Sequence, residues 1–536
     1  MLIDLLNNPA PQEYTADVAI VGAGAAGIAL ALRLARAGTH VCLIESGGTA
    51  LEAELQAFNE GDNTGLPYYS LDVTRNRVLG GTTATWSGRC VPLDPIDFRR
   101  RNWVPHSGWP ITREDLAAGY REASVFCGVG DAVYTDLWRE AGLEDPGFDP
   151  HHVQTRFWRL NAQRFGEAFR QELEASARVQ VLLHGTVTGI RLAGDTRSVT
   201  GLALATPDGT GHRVTARHYV LAAGGIENAR LMLASDDVET AGVGNGHDLV
   251  GRFFMEHPKC RTARVHSPDP IGLLERLRTT YPRGLPPLCP SLVLSEDTQA
   301  NMGVLNSSIA LYYRSWPGVT EAATELNAAW KRGQLWPEGA GRNLLRLLPV
   351  LPSLPANLAR RYVRRRAPIA RPKALYLLVR GEQAPNPESR VRLSPRRDPL
   401  GKRRADLDWR LSPLDKLSAK AVTEVVGREL ARTGLGRVEI DEWLHDGGDG
   451  WPTVAGAGDH HDILQGGHHH IGTTRMSDSP GTGVVDADCK VWGKENLFVA
   501  GSSVFPTSGW ANPTLTIVAL SLRLGDHLQG RLAHSA

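Results

Sequence analysis

The sequence predicts an α/β fold: a Rossmann-like dinucleotide-binding part assembled from non-contiguous segments, beside an α+β part of sheet and helix. Three observations predict it. A strand-like run, Asp17-Val18-Ala19-Ile20-Val21, enters the glycine motif Gly22-Ala23-Gly24-Ala25-Ala26-Gly27. The same tight strand-and-turn texture returns far along the chain, near 220 and near 500. Between these pieces, from about residue 250, the patterns are mixed. With 42% hydrophobic and 22% charged residues, the 536-residue chain has the composition of a globular protein long enough to bury a large core.

The first strand is apolar and β-branched, as a strand buried on both faces should be. A helix follows over 28–37, ending at Gly38, and a second strand over 40–44 is closed by Glu45. In this βαβ unit the first glycine permits the tight turn. The second lets the backbone approach a pyrophosphate, and the third allows close helix–strand packing. Helix N-terminal amides and the macrodipole face the phosphates. Glu45, 21 residues beyond Gly24, is placed to accept a ribose hydroxyl and disfavours a 2′-phosphate.

Residues 76–98 form a loop rich in Gly and Thr; 163–177 read as a helix, with strands near 179–192. A buried strand over 213–223 is punctuated by Gly224-Gly225. Residues 303–314 are strand-like, and a Leu/Pro/Arg stretch over 316–372 contains the basic run 360–366. That run reads as a solvated helix face or lid, or as a contact with a membrane surface or partner. Strands near 374–380 and 389–394 precede a helix over 413–432. Asn496 to Gly501 is a strand and turn, and Asn512-Pro513 opens a helix to about 528, with proline pre-set for a first helical position.

Fifty-nine basic against 58 acidic side chains leave +1, which argues against nucleic acid and against an anionic membrane as partners. Six cysteines without CxxC spacing exclude a disulfide framework or structural zinc and fit a reducing compartment. No apolar run approaches the length of a spanning helix, so no integral membrane segment is expected. Asp4 and the break at Asn7-Asn8-Pro9 do not read as a signal peptide, and a cytoplasmic location is expected. His468, His469 and His470, with His460, His461 and Asp459 nearby, invite a metal reading. Neighbours in an extended segment alternate faces, however, so no metal is expected and one or both flanking histidines are expected in the core. Asn512, before Pro513, has the character of a helix N-cap; Arg475 reads as a structural ion-pairing residue.

The segment Arg77-Val78-Leu79-Gly80-Gly81-Thr82-Thr83-Ala84-Thr85-Trp86 resembles the glucose–methanol–choline (GMC) oxidoreductases. The resemblance continues through 220–230 and 251–258, is densest in His469-His470-Ile471-Gly472-Thr473-Thr474-Arg475-Met476, and extends over 496–520. It is closest to the pyranose oxidase and bacterial sugar dehydrogenase branch, because the second catalytic position is Asn512 rather than a histidine. It implies FAD and oxidation of an alcohol, with His469 as the base and Asn512 holding the substrate oxygen. Cofactor contacts are implied at Gly22, Gly24, Ala25, Ala26, Gly27, Glu45 and Ser46. They continue at Arg77, Gly80, Gly81, Thr82, Thr83, Trp86, Ser87, Gly88, Val187, Ala223 and Gly224, and close with Gly501, Ser502, Asn512, Pro513 and Thr514. Amides at the start of the last helix would face flavin N1 and O2.

Thr85 stands where that branch often carries a histidine linked to the flavin, so non-covalent FAD is expected. The resemblance assigns 14–110, 178–258 and 462–536 to the FAD-binding domain, and 111–177 and 259–461 to a substrate-binding or cap domain. The expected substrate is a sugar, glycoside, aminosugar or polyol, with dioxygen or a quinone-type compound as acceptor. A lyase or isomerase with a structural flavin and a sterol-type alcohol oxidase are the alternatives. His257 and Arg252 fall in a family-like segment without a chemical role that demands them.

Overall fold

A computed structural model describes residues 1–7, 10–315, 336–370, 372–453 and 460–534, with isolated positions (318, 319, 322, 323, 325, 326, 329, 334) between. The strand Glu13–Val21 lies inside an eight-stranded sheet, parallel to Val41–Ile44 on one side and Gly211–Leu221 on the other. Val18, Ala19 and Ile20 are wholly buried, which is why the run carries no polar alternation. Val179–Leu183 and Leu2–Asp4 extend one side of the sheet. Thr186–Leu192 and Val199–Ala205 extend the other as antiparallel strands, and Leu497–Val499 pairs parallel with Gly211–Leu221.

The helix Ala25–Arg36 packs under this sheet against the last helix, Thr514–His534. Two glycines make the strand–helix junction possible. Gly22 sits at φ +102° with room for a Cβ taken by Ala222 O, 2.7 Å away; a Cβ on Gly27 would lie 1.9 Å from Gly22 O.

A seven-stranded antiparallel sheet runs in the order Arg437–Ile440, Lys259–His266, Ala374–Arg380, Ser308–Arg314, Leu288–Leu294, Val153–Leu160, Arg89–Cys90. The helix Pro413–Arg432 covers it, started by a capping box between Ser412 and Asp415. One continuous buried core runs through both sheets. Arg89–Cys90, within the segment expected to bind dinucleotide, joins this second sheet.

The strands at 153–160 and 288–294 carry no clean period-two signal, because buried Arg159 and Ser291 lie among their apolar residues; the strand at 437–440 alternates but is only four residues long. The helix expected over 163–177 resolves into Phe165–Ala168 and Arg170–Ala175; between them Phe169, at φ −104°, stacks on Phe126 at 4.2 Å. The basic run is held locally: Arg360, Arg364 and Arg366 lie 2.8, 3.6 and 3.1 Å from Glu275. Most of residues 316–335, the start of the Leu/Pro/Arg stretch, lie outside the described residues, as does Asp459. Among the described residues no helix is long and apolar enough to cross a membrane.

Candidate functional site

A cavity of about 660 Å³ is walled by both sheets' loops and strand ends. Gly22, Gly24, Ala25, Ala26, Glu45, Ser46, Arg77, Gly81, Thr82, Thr83, Trp86 and Ser87 line it, from the first part of the chain. Ala223, Gly224, His469, Gly501, Ser502, Asn512, Pro513 and Thr514 line it from the rest. Gly27, Gly80, Gly88 and Val187 do not. Gly27 serves the helix–strand junction, Gly80 and Gly88 pack on the backbone of Gly166 and Asn161, and Val187 lies in the sheet's core.

The Glu45 carboxylate is held from behind by two backbone amides, Ala23 N to Oε2 at 3.0 Å and Gly47 N to Oε1 at 2.9 Å. Burial pushes its pKa up; the Gly47 and Ala23 amides and Arg77 oppose this. The Gly/Thr loop is tied to the glycine turn by Gly80 N donating to Ala23 O at 2.8 Å. Arg77 reaches Glu227 at 3.3 Å, and Glu227 also pairs with Arg230 at 2.6 Å and Arg75 at 3.5 Å. Burial opposes ionisation of Glu227, but the Arg230, Arg77 and Arg75 guanidiniums outweigh it and bring its pKa down to about 2. These residues fit an adenine dinucleotide. An acid faces the cavity, a Cβ on Gly24 would come no closer than 3.9 Å to any group, and Gly224 opens onto free space.

The histidine end of the cavity is built on a carboxylate. Glu256, wholly buried, accepts from the backbone amides of His257 (2.9 Å), Gly467 (2.7 Å) and His469 (2.9 Å), and from the hydroxyl of Tyr68. It thereby joins two segments separated by some two hundred residues. His257 Nε2 lies 2.8 Å from Gly509 O, and a carbonyl only accepts, so this nitrogen carries the proton. Burial lowers the pKa of His257 to about 4, so the ring is neutral and its Nδ1 is an acceptor. The facing Nδ1 of His469, 2.6 Å away, must then donate. His469 is left with an unprotonated Nε2, 3.1 Å from Asn512 Nδ2. Burial, His257 and Arg380 hold the pKa of His469 well below its ordinary value. The arrangement presents a neutral imidazole lone pair beside an amide donor, the geometry a base on a hydroxyl requires.

The neighbouring residues correct several expectations. His468 sits at φ +60° and stacks on Tyr69 at 4.2 Å, so the segment is not extended and all three histidines line the cavity. His470 is buried, with Nε2 3.2 Å from the Tyr68 hydroxyl. The last helix begins at Thr514, so Asn512 lies before the cap position and its side chain goes to His469. Arg475 forms no ion pair among the described residues: it donates to His106 O at 2.6 Å and lies over Phe253. Arg252 pairs with Asp248 and Glu388, away from the cavity. His461 packs on Tyr312, and Asp462 bridges Arg261 and Arg314. Among the described residues no three His, Cys, Asp or Glu side chains converge as metal ligands. Sequence reasoning missed the part played by His257 and Glu256, although Met255-Glu256-His257-Pro258 was visible as a motif. Tyr68, Lys259 and Arg380 gave no local signal.

Two family models match the chain: an FAD dependent oxidoreductase model over residues 17–240 and a GMC oxidoreductase model over 385–521. The 2-methyl-1,2-propanediol dehydrogenase of Mycolicibacterium austroafricanum is 25% identical over 96% of each chain. Paromamine 6′-oxidase of Streptomyces fradiae is 25% identical over 96% of this chain and 92% of its own. In fold, the chain is similar to a formate oxidase crystal structure, with TM-score 0.56 and 16% identity over 97% of this chain and 99% of that one.

Proposed function

The chain is an FAD-dependent GMC oxidoreductase, and from that premise we propose that it oxidises a CH–OH group of a sugar, glycoside, aminosugar or polyol to the carbonyl. The observation that carries the reading is the His469 Nε2 lone pair beside Asn512 Nδ2. FAD, when bound, supplies the hydride acceptor at N5. His469 takes the hydroxyl proton at Nε2, and its Nδ1–H stays on His257. Asn512 holds the substrate oxygen, and Glu256 keeps the histidine backbone from shifting as the charge changes hands. The two electrons leave to dioxygen or a quinone-type acceptor. Relatives whose names specify a diol and an aminosugar support the substrate class.

The dinucleotide is held by the residues of the glycine turn, Glu45 and the Gly/Thr loop. Within that loop, Thr85 offers a hydroxyl already accepting from Asn76 Nδ2 at 2.9 Å, with no ring nitrogen to form a flavin link. On this reading 14–110, 178–258 and 462–536 bind FAD, and 111–177 and 259–461 bind substrate. All six cysteines are free, which suits a reducing, cytoplasmic setting.

Anaerobic mixing of the holoenzyme with sugars, polyols, aminosugars and sterols tests the proposal. Bleaching of the flavin by a polyhydroxylated alcohol, abolished in His469→Ala, is the expected result. Absence of bleaching by every alcohol would overturn it in favour of lyase or isomerase chemistry.

A further inference from the structure

Three cations enter the same cavity without a carboxylate in ion-pair contact among the described residues; buried Glu256 acts on Lys259 only through space. Lys259, Arg380 and Arg89 all line it, and none forms an ion pair among the described residues. Arg89 Nε and Arg380 Nε are buried with no hydrogen-bond partner among the described residues. All three belong to the seven-stranded sheet. Lys259 and Arg380 are directly opposed in register on neighbouring antiparallel strands, where like charges destabilise the pairing. Arg380 and Arg89 both lie over the ring of Trp158, at 5.0 and 5.4 Å from its centroid.

Two other buried arginines are paired with carboxylates. Arg101 is gripped by both oxygens of Glu382, at 2.5 and 2.7 Å, and Arg230 by Glu227. Grouped buried cations without counter-charge are costly, and such broken rules concentrate at functional sites. The strain is visible in their acidity: burial, then the neighbouring cations, brings Lys259 down to about 8 and Arg380 to about 9.

The cluster is close to the reacting groups. Lys259 follows His257, the partner of His469, by two residues. Arg380 acts electrostatically on His469, and Lys259 on His468. It is also separate from the dinucleotide phosphates' place, which the glycine turn of the other sheet provides.

We propose that Lys259, Arg380 and Arg89 form an anion-binding subsite next to His469, so that the alcohol oxidised carries a carboxylate or phosphate group. This deepens the function proposed above and rests on it: within that class, uronates, aldonates or sugar phosphates are favoured and protonated aminosugars repelled. The two guanidiniums, set on the indole, offer fixed forks to a planar carboxylate or phosphate, and Lys259 adds a mobile point charge.

The test uses the holoenzyme and matched compounds: glucose, glucuronate, glucose 6-phosphate and glucosamine, with galactose and galacturonate as a second series. Flavin reduction is followed anaerobically, and inorganic phosphate and sulfate are titrated by the perturbation of the flavin spectrum. The expected result is preference for the anionic members by about tenfold or more in KM-linked efficiency. Lys259→Met and Arg89→Gln should each remove most of that preference and weaken phosphate binding. Equal use of neutral and anionic members, with no spectral response to phosphate, would overturn the subsite. If no alcohol bleaches the flavin, the oxidation proposal fails, and the phosphate titration alone then decides the subsite. Variants that shift the flavin's potential but leave phosphate binding unchanged would reassign the cations to the flavin and also overturn it.

Discussion

His257 and His469 meet Nδ1 to Nδ1 at 2.6 Å, and that contact selects which nitrogen of His469 is free to accept a proton. The choice originates one step further back, at Gly509 O, which keeps the His257 proton on Nε2. A backbone carbonyl thus sets the tautomer of the base through an intervening ring.

Removing the intermediary should disturb orientation more than binding. His257→Ala is expected to lower kcat by about tenfold to a hundredfold with little change in KM. His257→Gln, which can accept from His469 and donate to Gly509, should recover part of the loss. Steady-state kinetics on both variants checks this; equal activity of wild type and His257→Ala would remove His257 from the mechanism.

The acid limb of the pH profile should lie low. A base is active when unprotonated, and burial, His257 and Arg380 hold the His469 pKa well below 6.5. Activity is therefore fully present at pH 6.5 and is lost as pH falls through the lowered value. kcat/KM measured with a non-ionising alcohol reads it directly, and a limb centred above 6.5 would contradict the neutral, buried imidazole. His469→Ala should cost roughly a hundredfold to ten-thousandfold in kcat.

Glu227 links the Gly/Thr loop to the helix Gly224–Ala234 through Arg75, Arg77 and Arg230. Its folded pKa of about 2 lies below the ordinary 4.5. The stabilisation is therefore present above pH 4.5 and lost as pH falls toward 2, on the order of 3 kcal/mol when complete. Glu227→Gln leaves Arg75 and Arg77 without this carboxylate and Arg230 with only the more distant Asp398, at 3.8 Å, and should lower the thermal midpoint at neutral pH while narrowing its acid dependence. Thermal scans of both proteins across pH 3–7 would show it.

Flavin should leave the protein on acid precipitation, since Thr85 has no group that could hold it covalently. Yellow colour in the supernatant and a colourless pellet are expected; a flavin-bearing peptide after digestion would refute it.

The dinucleotide half was legible because its chemistry is local. One turn and one acid, Gly22 to Gly27 and Glu45, must follow one another closely to do their work; Gly22, Gly24, Ala25, Ala26 and Glu45 lie in the cavity wall, with Gly27 behind them at the helix–strand junction. The helix boundaries moved by a few residues, since fraying and capping are decided by neighbours. Asn512 shows the limit of local reading: before a proline it has the character of a cap, and only contact with a histidine 43 positions earlier gives it another part.

By itself, then, the sequence determined the nucleotide turn, the candidate base and most strands of the first sheet, though not Leu2–Asp4 or Val199–Ala205. Only the tertiary structure decided the tautomer of His469, the anchoring of its loop on Glu256 and the gathering of Lys259, Arg380 and Arg89. Each of these arises where strands remote in the chain lie side by side. Balanced overall charge conceals such a cluster, because net charge sums over the whole chain while recognition depends on which charges the fold leaves unpaired in one cavity.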